Sequence, residues 1–190
     1  MNIFECIENN NIQALKELIS AGADVNIKNS YGNTALYYAC LHNNKEAIKL
    51  LIADGADLNV QDGYGNTAQP WACNRGNYEA MKLLISAGAD INMQNKYGNT
   101  ALLEACKNGN YEAIKLLISA GADVNIQTEY GSTALHWACD RGRIEAIKLL
   151  ISAGADVNVQ TKDEGTALYW ACMYGYYEAI KLLVDAGAYR

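Results

Sequence analysis

Cysteine, histidine and glutamate are the reactive residue types of this 190-residue chain, and each falls into a pattern. Cys40, Cys73, Cys106, Cys139 and Cys172 recur every 33 residues, and Cys6 stands 34 before Cys40. Such cysteines suit three chemistries: disulfide cross-linking, thiolate–metal binding and nucleophilic catalysis. If each period forms one layer of a stack, equivalent residues lie about 8–10 Å apart, one helix-packing distance. A disulfide needs Cα atoms within about 7 Å, so the column does not cross-link. No Cys-x-x-Cys occurs, and neither His42 nor His136 has a second ligand type at metal spacing. The column therefore reads as buried thiols serving as small apolar side chains. Glu46, Glu79, Glu112, Glu145 and Glu178 share the period, each three residues before Lys49, Lys82, Lys115, Lys148 or Lys181. Pairs at that spacing mark a solvated helix face rather than an acid–base couple. No Gly-x-Ser-x-Gly, phosphate-loop or zinc pattern stands out. The expectation is a protein that is not an enzyme and holds neither metal nor cofactor.

Behind these columns lies a repeat. In register the units run 29–61, 62–94, 95–127, 128–160 and 161–190, preceded by a partial unit at 1–28. Each reads as turn, short helix, tight connection, second helix and extended exit. The turns are "YGNT" or "YGST", where Gly32, Gly65, Gly98 and Gly131 supply the positive φ a tight turn often needs. Thr34, Thr67, Thr100, Thr133 and Thr166 then fit helix N-caps. Second helices carry "EAIKLLI" or near variants, an apolar stripe that must bury against a neighbour. In the first unit Phe4, Ile7, Leu15, Leu18 and Ile19 are expected to face the next layer.

The 33-residue period, "G-x-T-A-L" and "EAIKLLISAGADVN" resemble the ankyrin repeat over essentially the whole chain. The resemblance implies an all-α solenoid of helix-turn-helix layers with hairpin-like fingers. It is expected to form a single domain over 1–190, with 1–28 and 161–190 as its end repeats. Fingers and first helices line a concave groove in that family, and its members overwhelmingly bind other proteins there. Two departures stand out: Ala replaces the family's usual Pro after Thr, and His two places further on survives only as His136.

In such an array the frame columns hold the stack and the variable columns are free to recognise. The candidate groove residues are Tyr38, Trp71, Glu104, Trp137 and Trp170 before each Cys, and His42, Arg75, Lys107, Arg141 and Tyr174 after it. From the fingers come Tyr64, Lys96, Tyr97 and Tyr130. Tyr, Trp and Arg are enriched at interface hot spots, which suggests a protein or peptide partner bearing acidic and apolar groups. Packing of the same aromatics into the core is the competing reading. Tyr169, Trp170, Met173, Tyr174, Tyr176 and Tyr177 make the densest aromatic cluster, and Tyr169, Met173, Tyr176 and Tyr177 are an expected contact surface at the last repeat for a partner or a second copy; self-association there is an alternative function, though a homo-oligomer is not favoured. Glu164 stands where other turns have Gly, so that finger bends differently or accepts strain.

The composition is 51% hydrophobic and 19% charged, which argues against disorder. A net charge of -6 argues against general nucleic-acid or anionic-membrane affinity, although groove aromatics and cations leave nucleotide or single-stranded RNA binding as the rival reading. No apolar run approaches the roughly 18 residues of a membrane span, and no signal peptide is visible in "MNIFECIENNN". A reducing cytosol, of its own cell or of a host, is the expected compartment. Finally, "TAQPWAC" at 67–73 holds the only proline. Gln69 replaces a buried leucine there, and Pro70 removes the N–H that Thr67 would cap, so this layer is expected to be the weakest.

Overall fold

The computed structural model describes residues 1–189. Twelve short helices form six pairs: α1 (Ile3–Glu8) with α2 (Ile12–Ser20), α3 (Ala35–Leu41) with α4 (Lys45–Ala53), and α5 (Ala68–Asn74) with α6 (Tyr78–Ser86). Then come α7 (Ala101–Asn108) with α8 (Tyr111–Ser119), α9 (Ala134–Asp140) with α10 (Ile144–Ser152), and α11 (Ala167–Met173) with α12 (Tyr177–Asp185). The pairs fall into two compact units, one ending at Lys96 and one starting at Tyr97. Within the first, α1, α3 and α5 pack in a row and α2, α4 and α6 in another. The second repeats this with α7, α9 and α11 beside α8, α10 and α12.

The expected Thr caps start three of the first helices. Thr34, Thr100 and Thr166 Oγ1 accept the N–H of Tyr37, Leu103 and Tyr169 at 3.3, 3.2 and 3.1 Å. Thr67 makes no such bond, because its would-be donor is Pro70. The helix nevertheless runs through Pro70, which sits in the first turn where N–H groups lack intrahelical partners.

Fingers and exits clamp successive layers. Gly98 has φ +77°, and a Cβ there would lie 2.8 Å from both the Glu129 nitrogen and the Thr128 Cα of the next finger. Glu164 takes the same left-handed conformation, at φ +61°, so the last finger accepts strain rather than bending differently. At the exits within each unit an asparagine bridges a layer to its successor. Asn125 Oδ1 accepts the Asp156 N–H at 2.8 Å while its Nδ2 donates to Gly154 O at 3.2 Å. Asn158 repeats this with the Tyr189 N–H and Gly187 O, and Asn26 with the Asp57 N–H and Gly55 O.

Two column expectations need correction. Cys6, Cys40, Cys73, Cys106 and Cys139 are buried, but Cys172 is exposed, because its side of α11 meets no neighbouring helix among the described residues. Burial pushes the Cys40 and Cys139 thiols up to about 12, so they are inert at neutral pH. Glu46–Lys49, Glu79–Lys82 and Glu112–Lys115 pair at 3.1, 3.0 and 3.2 Å. Lys148 instead reaches across to Glu178 of the next layer at 2.9 Å, so the Glu145–Lys148 and Glu178–Lys181 pairs do not form. Exposed pairs differ by only about 0–1 kcal/mol, so whichever carboxylate lies within reach decides the partner. In the first layer Ile7 and Leu15 are buried as expected. Phe4 meets the Tyr38 ring edge-on at 5.5 Å.

Candidate functional site

The residue two places before each cysteine projects from the last turn of a short first helix, and its ring is set by packing. In the first unit Tyr38 and Trp71 are half-buried. Tyr38 OH accepts from Asn29 Nδ2 at 3.1 Å, and the ring stacks on exposed His42 with centroids 6.4 Å apart. Tyr37, absent from the sequence-derived site, joins the two sides: its ring lies 5.3 Å from Tyr38 and 5.6 Å from Trp71, edge-on to each. Its signal was its register, since it occupies the place that His136 holds in α9. Burial raises the Tyr37 phenol above its usual value. Arg75 and the finger residues Tyr64 and Lys96 are exposed, Tyr64 by 64%.

The second unit arranges the same columns differently. Lys107 Nζ stands 5.0 Å from the centre of the Trp137 ring, a cation–π contact between successive layers. Glu104, which interrupts the aromatic column, accepts from Asn99 Nδ2 at 2.9 Å. Trp170 and Tyr174 stack with centroids 6.5 Å apart, and Tyr169 meets Trp170 edge-on at 5.5 Å. Arg141 Nε contacts Asp140 Oδ2 at 3.0 Å, so its charge is partly matched. The Asp140 carboxylate beside Tyr174 pushes that phenol above its usual value. Between these side chains lies an open notch of about 140 Å³, lined by Ser132, His136, Trp137, Asp140 and Trp170. The finger residues Tyr97 and Tyr130 are exposed, Tyr130 by 69%.

At α11 and α12 the expected contact residues separate. Tyr169, Met173 and Tyr177 are exposed, Tyr177 by 84%. Tyr176 is not: half-buried, its ring lies 5.9 Å from Tyr174 and fills the space a Cβ on Gly142 would enter. It is part of the packing between layers rather than of an open surface.

His136 is the one buried histidine. Thr133 donates its backbone N–H to His136 Nδ1 at 3.1 Å, so the neutral ring carries its proton on Nε2. Burial lowers its basicity, an effect that the nearby Gly165 and Val159 backbone opposes. Ser132 shares the notch with the ring, and no cysteine lines it. A group charged more readily in the unfolded chain binds the extra proton there, so stability is present above the ordinary histidine range and is lost as pH falls through it. His136→Leu, matching Leu103 in α7, is expected to flatten the stability profile between pH 8 and 5 relative to the parent chain. Urea midpoints across that range measure it; parallel profiles would refute it.

Among the described residues no three of His, Cys, Asp and Glu gather as metal ligands do. None of the described helices is long and apolar enough to cross a membrane. A family model described as "Ankyrin repeats (3 copies)" matches residues 3–95, 55–128, 70–161 and 102–189. Among solved structures, an ankyrin repeat domain from Acinetobacter baumannii is 34% identical, with 98% of each chain covered and a TM-score of 0.92. An ankyrin repeat protein, EF0377, is 29% identical over 96% of each chain with a TM-score of 0.89. No curated protein matches the chain.

Proposed function

We propose that this chain, which belongs to the ankyrin-repeat family, is a non-enzymatic interaction module that binds a protein or peptide through the aromatic and cationic side chains of its first helices and fingers. Ankyrin repeats are generally protein–protein interaction modules, which gives the class. The Trp137 ring, held under Lys107 and opening on the notch beside Trp170, is the observation that supports this surface as the contact. Rigid rings cost little entropy to bind, and Lys107 and exposed Arg75 offer charge to carboxylates. The partner is thus an acidic segment with apolar side chains. A reducing compartment suits six unpaired thiols.

The test is capture from a source lysate followed by titration of the captured partner. Trp71→Ala/Trp137→Ala is expected to weaken binding by about tenfold or more, while Lys115→Ala on the second-helix face leaves it unchanged. Equal binding by both variants overturns this reading. Salt-sensitive affinity for single-stranded RNA with quenching of Trp137 replaces it with base stacking.

A further inference from the structure

The layer built from α5 and α6 is fastened at both ends of α5 and loose along α5 itself. On the finger side Tyr64 O accepts the Lys96 N–H at 3.0 Å, and Gln61 Nε2 donates to Gly65 O at 2.7 Å and to Gln94 O at 3.0 Å. On the other side α6 packs on α4, and Asn77 at its start donates from Nδ2 to Cys40 O at 2.8 Å and Leu41 O at 3.3 Å. That amide ties the start of α6 to the end of α3 without using α5. Between the two anchors α5 makes a poorer set of contacts. Its buried side chains are Ala68, Gln69, Pro70, Ala72 and Cys73, none of them a large aliphatic, whereas α3 buries Leu36 and α7 buries Leu102 and Leu103. Gln69 Nε2 and Trp71 Nε1 are enclosed without hydrogen-bond partners, and the Thr67 side chain caps nothing. Lifting α5 from its seat therefore exposes little apolar surface and returns two donors to water.

We infer that α5 opens as a local unit while α3, α4 and α6 stay folded. Segments differ in the free energy of their opening, and one with few apolar contacts opens far more often than the whole fold does. The anchored finger and the anchored start of α6 keep the opened stretch in place, so it closes again on the same seat. Opening uncovers Cys73, buried in the closed form, and takes the Trp71 ring away from its edge-on contact with Tyr37. One consequence rests on the contact surface proposed above: Trp71 meets a partner only while α5 is seated, so a bound partner holds the helix closed. The opening itself does not rest on that surface.

Hydrogen exchange of the full chain without a partner is expected to show the amides of 71–76 exchanging about tenfold or more faster than those of α3. Urea well below the unfolding midpoint leaves the α5 rate nearly unchanged, because a local opening exposes little surface, and accelerates α3 steeply. N-ethylmaleimide modifies Cys73 faster than Cys40 by about the same factor. Gln69→Leu slows both α5 exchange and Cys73 modification by about tenfold or more. One rate and one urea slope for α3 and α5, a Cys73 rate no higher than that of Cys40, or an α5 rate indifferent to Gln69→Leu overturns the opening. A captured partner that leaves α5 exchange as it was overturns only the part of Trp71 in the contact, and the opening stands.

Discussion

Gln69→Leu is expected to stabilise the chain by about 1–3 kcal/mol, the cost of a buried polar group without partners. Gln69 is 3% exposed and its Nε2 makes no hydrogen bond. Leucines hold the equivalent places, Leu36, Leu102 and Leu135 at 1% exposure or less and Leu168 at 8%. The fold therefore already accommodates the replacement in four layers. Adding Pro70→His returns the N–H that Thr67 lacks, and with it about 0.5–2 kcal/mol of cap. The neighbouring sites couple, so the double variant is measured beside both singles. Urea unfolding decides: no gain from Gln69→Leu would mean the amide is satisfied in solution. Because Gln69 and Pro70 are both buried, neither touches a partner directly, and binding is expected to survive the repair. The pair of changes is thus expected to weaken a layer without making a site.

Exchanging the residues at two equivalent turns should move stability in opposite directions. Gly98→Ala is expected to destabilise by on the order of 2–3 kcal/mol. About 1–2 of this is the left-handed penalty of an L-residue, and the rest comes from a Cβ pressed to 2.8 Å against backbone of the next finger. Backbone cannot swing aside as a flexible side chain would. Glu164→Gly relieves the same left-handed conformation and should gain about 1 kcal/mol. Thermal or urea unfolding of both variants suffices; a tolerated Gly98→Ala would show that neighbouring fingers separate freely.

What was legible in the sequence was whatever repeats locally. The Thr caps, Gly turns and apolar stripes act within a few residues of themselves, and they fix the helices wherever they recur. Position in the stack was not written in the columns. Cys172 is spelled like Cys139 yet open, because burial depends on a neighbour rather than on the residue itself. Lys148 passes over Glu145 for Glu178, a choice between exposed partners too close in energy for spacing to settle. Tyr37 was missed for the opposite reason: its role arises from its edge-on contact with Trp71 in the adjacent layer. The asparagine of the exits stood in plain view as a column, but its partners lie 29 and 31 residues onward.

Those asparagines also lie where a pull on the second unit would enter. In the second unit a load entering near Tyr189 falls first on the two bonds of Asn158, and only after they part on those of Asn125. The clamps are in series, so force is not shared among them as it is across strands sheared side by side. Each layer that yields releases 33 residues, roughly 110 Å of slack at about 3.3–3.6 Å per residue. The second unit is therefore expected to act less like a bolt than like a ratcheted tether, lengthening in near-equal steps in a single-molecule pulling experiment and rewinding from the layers still folded.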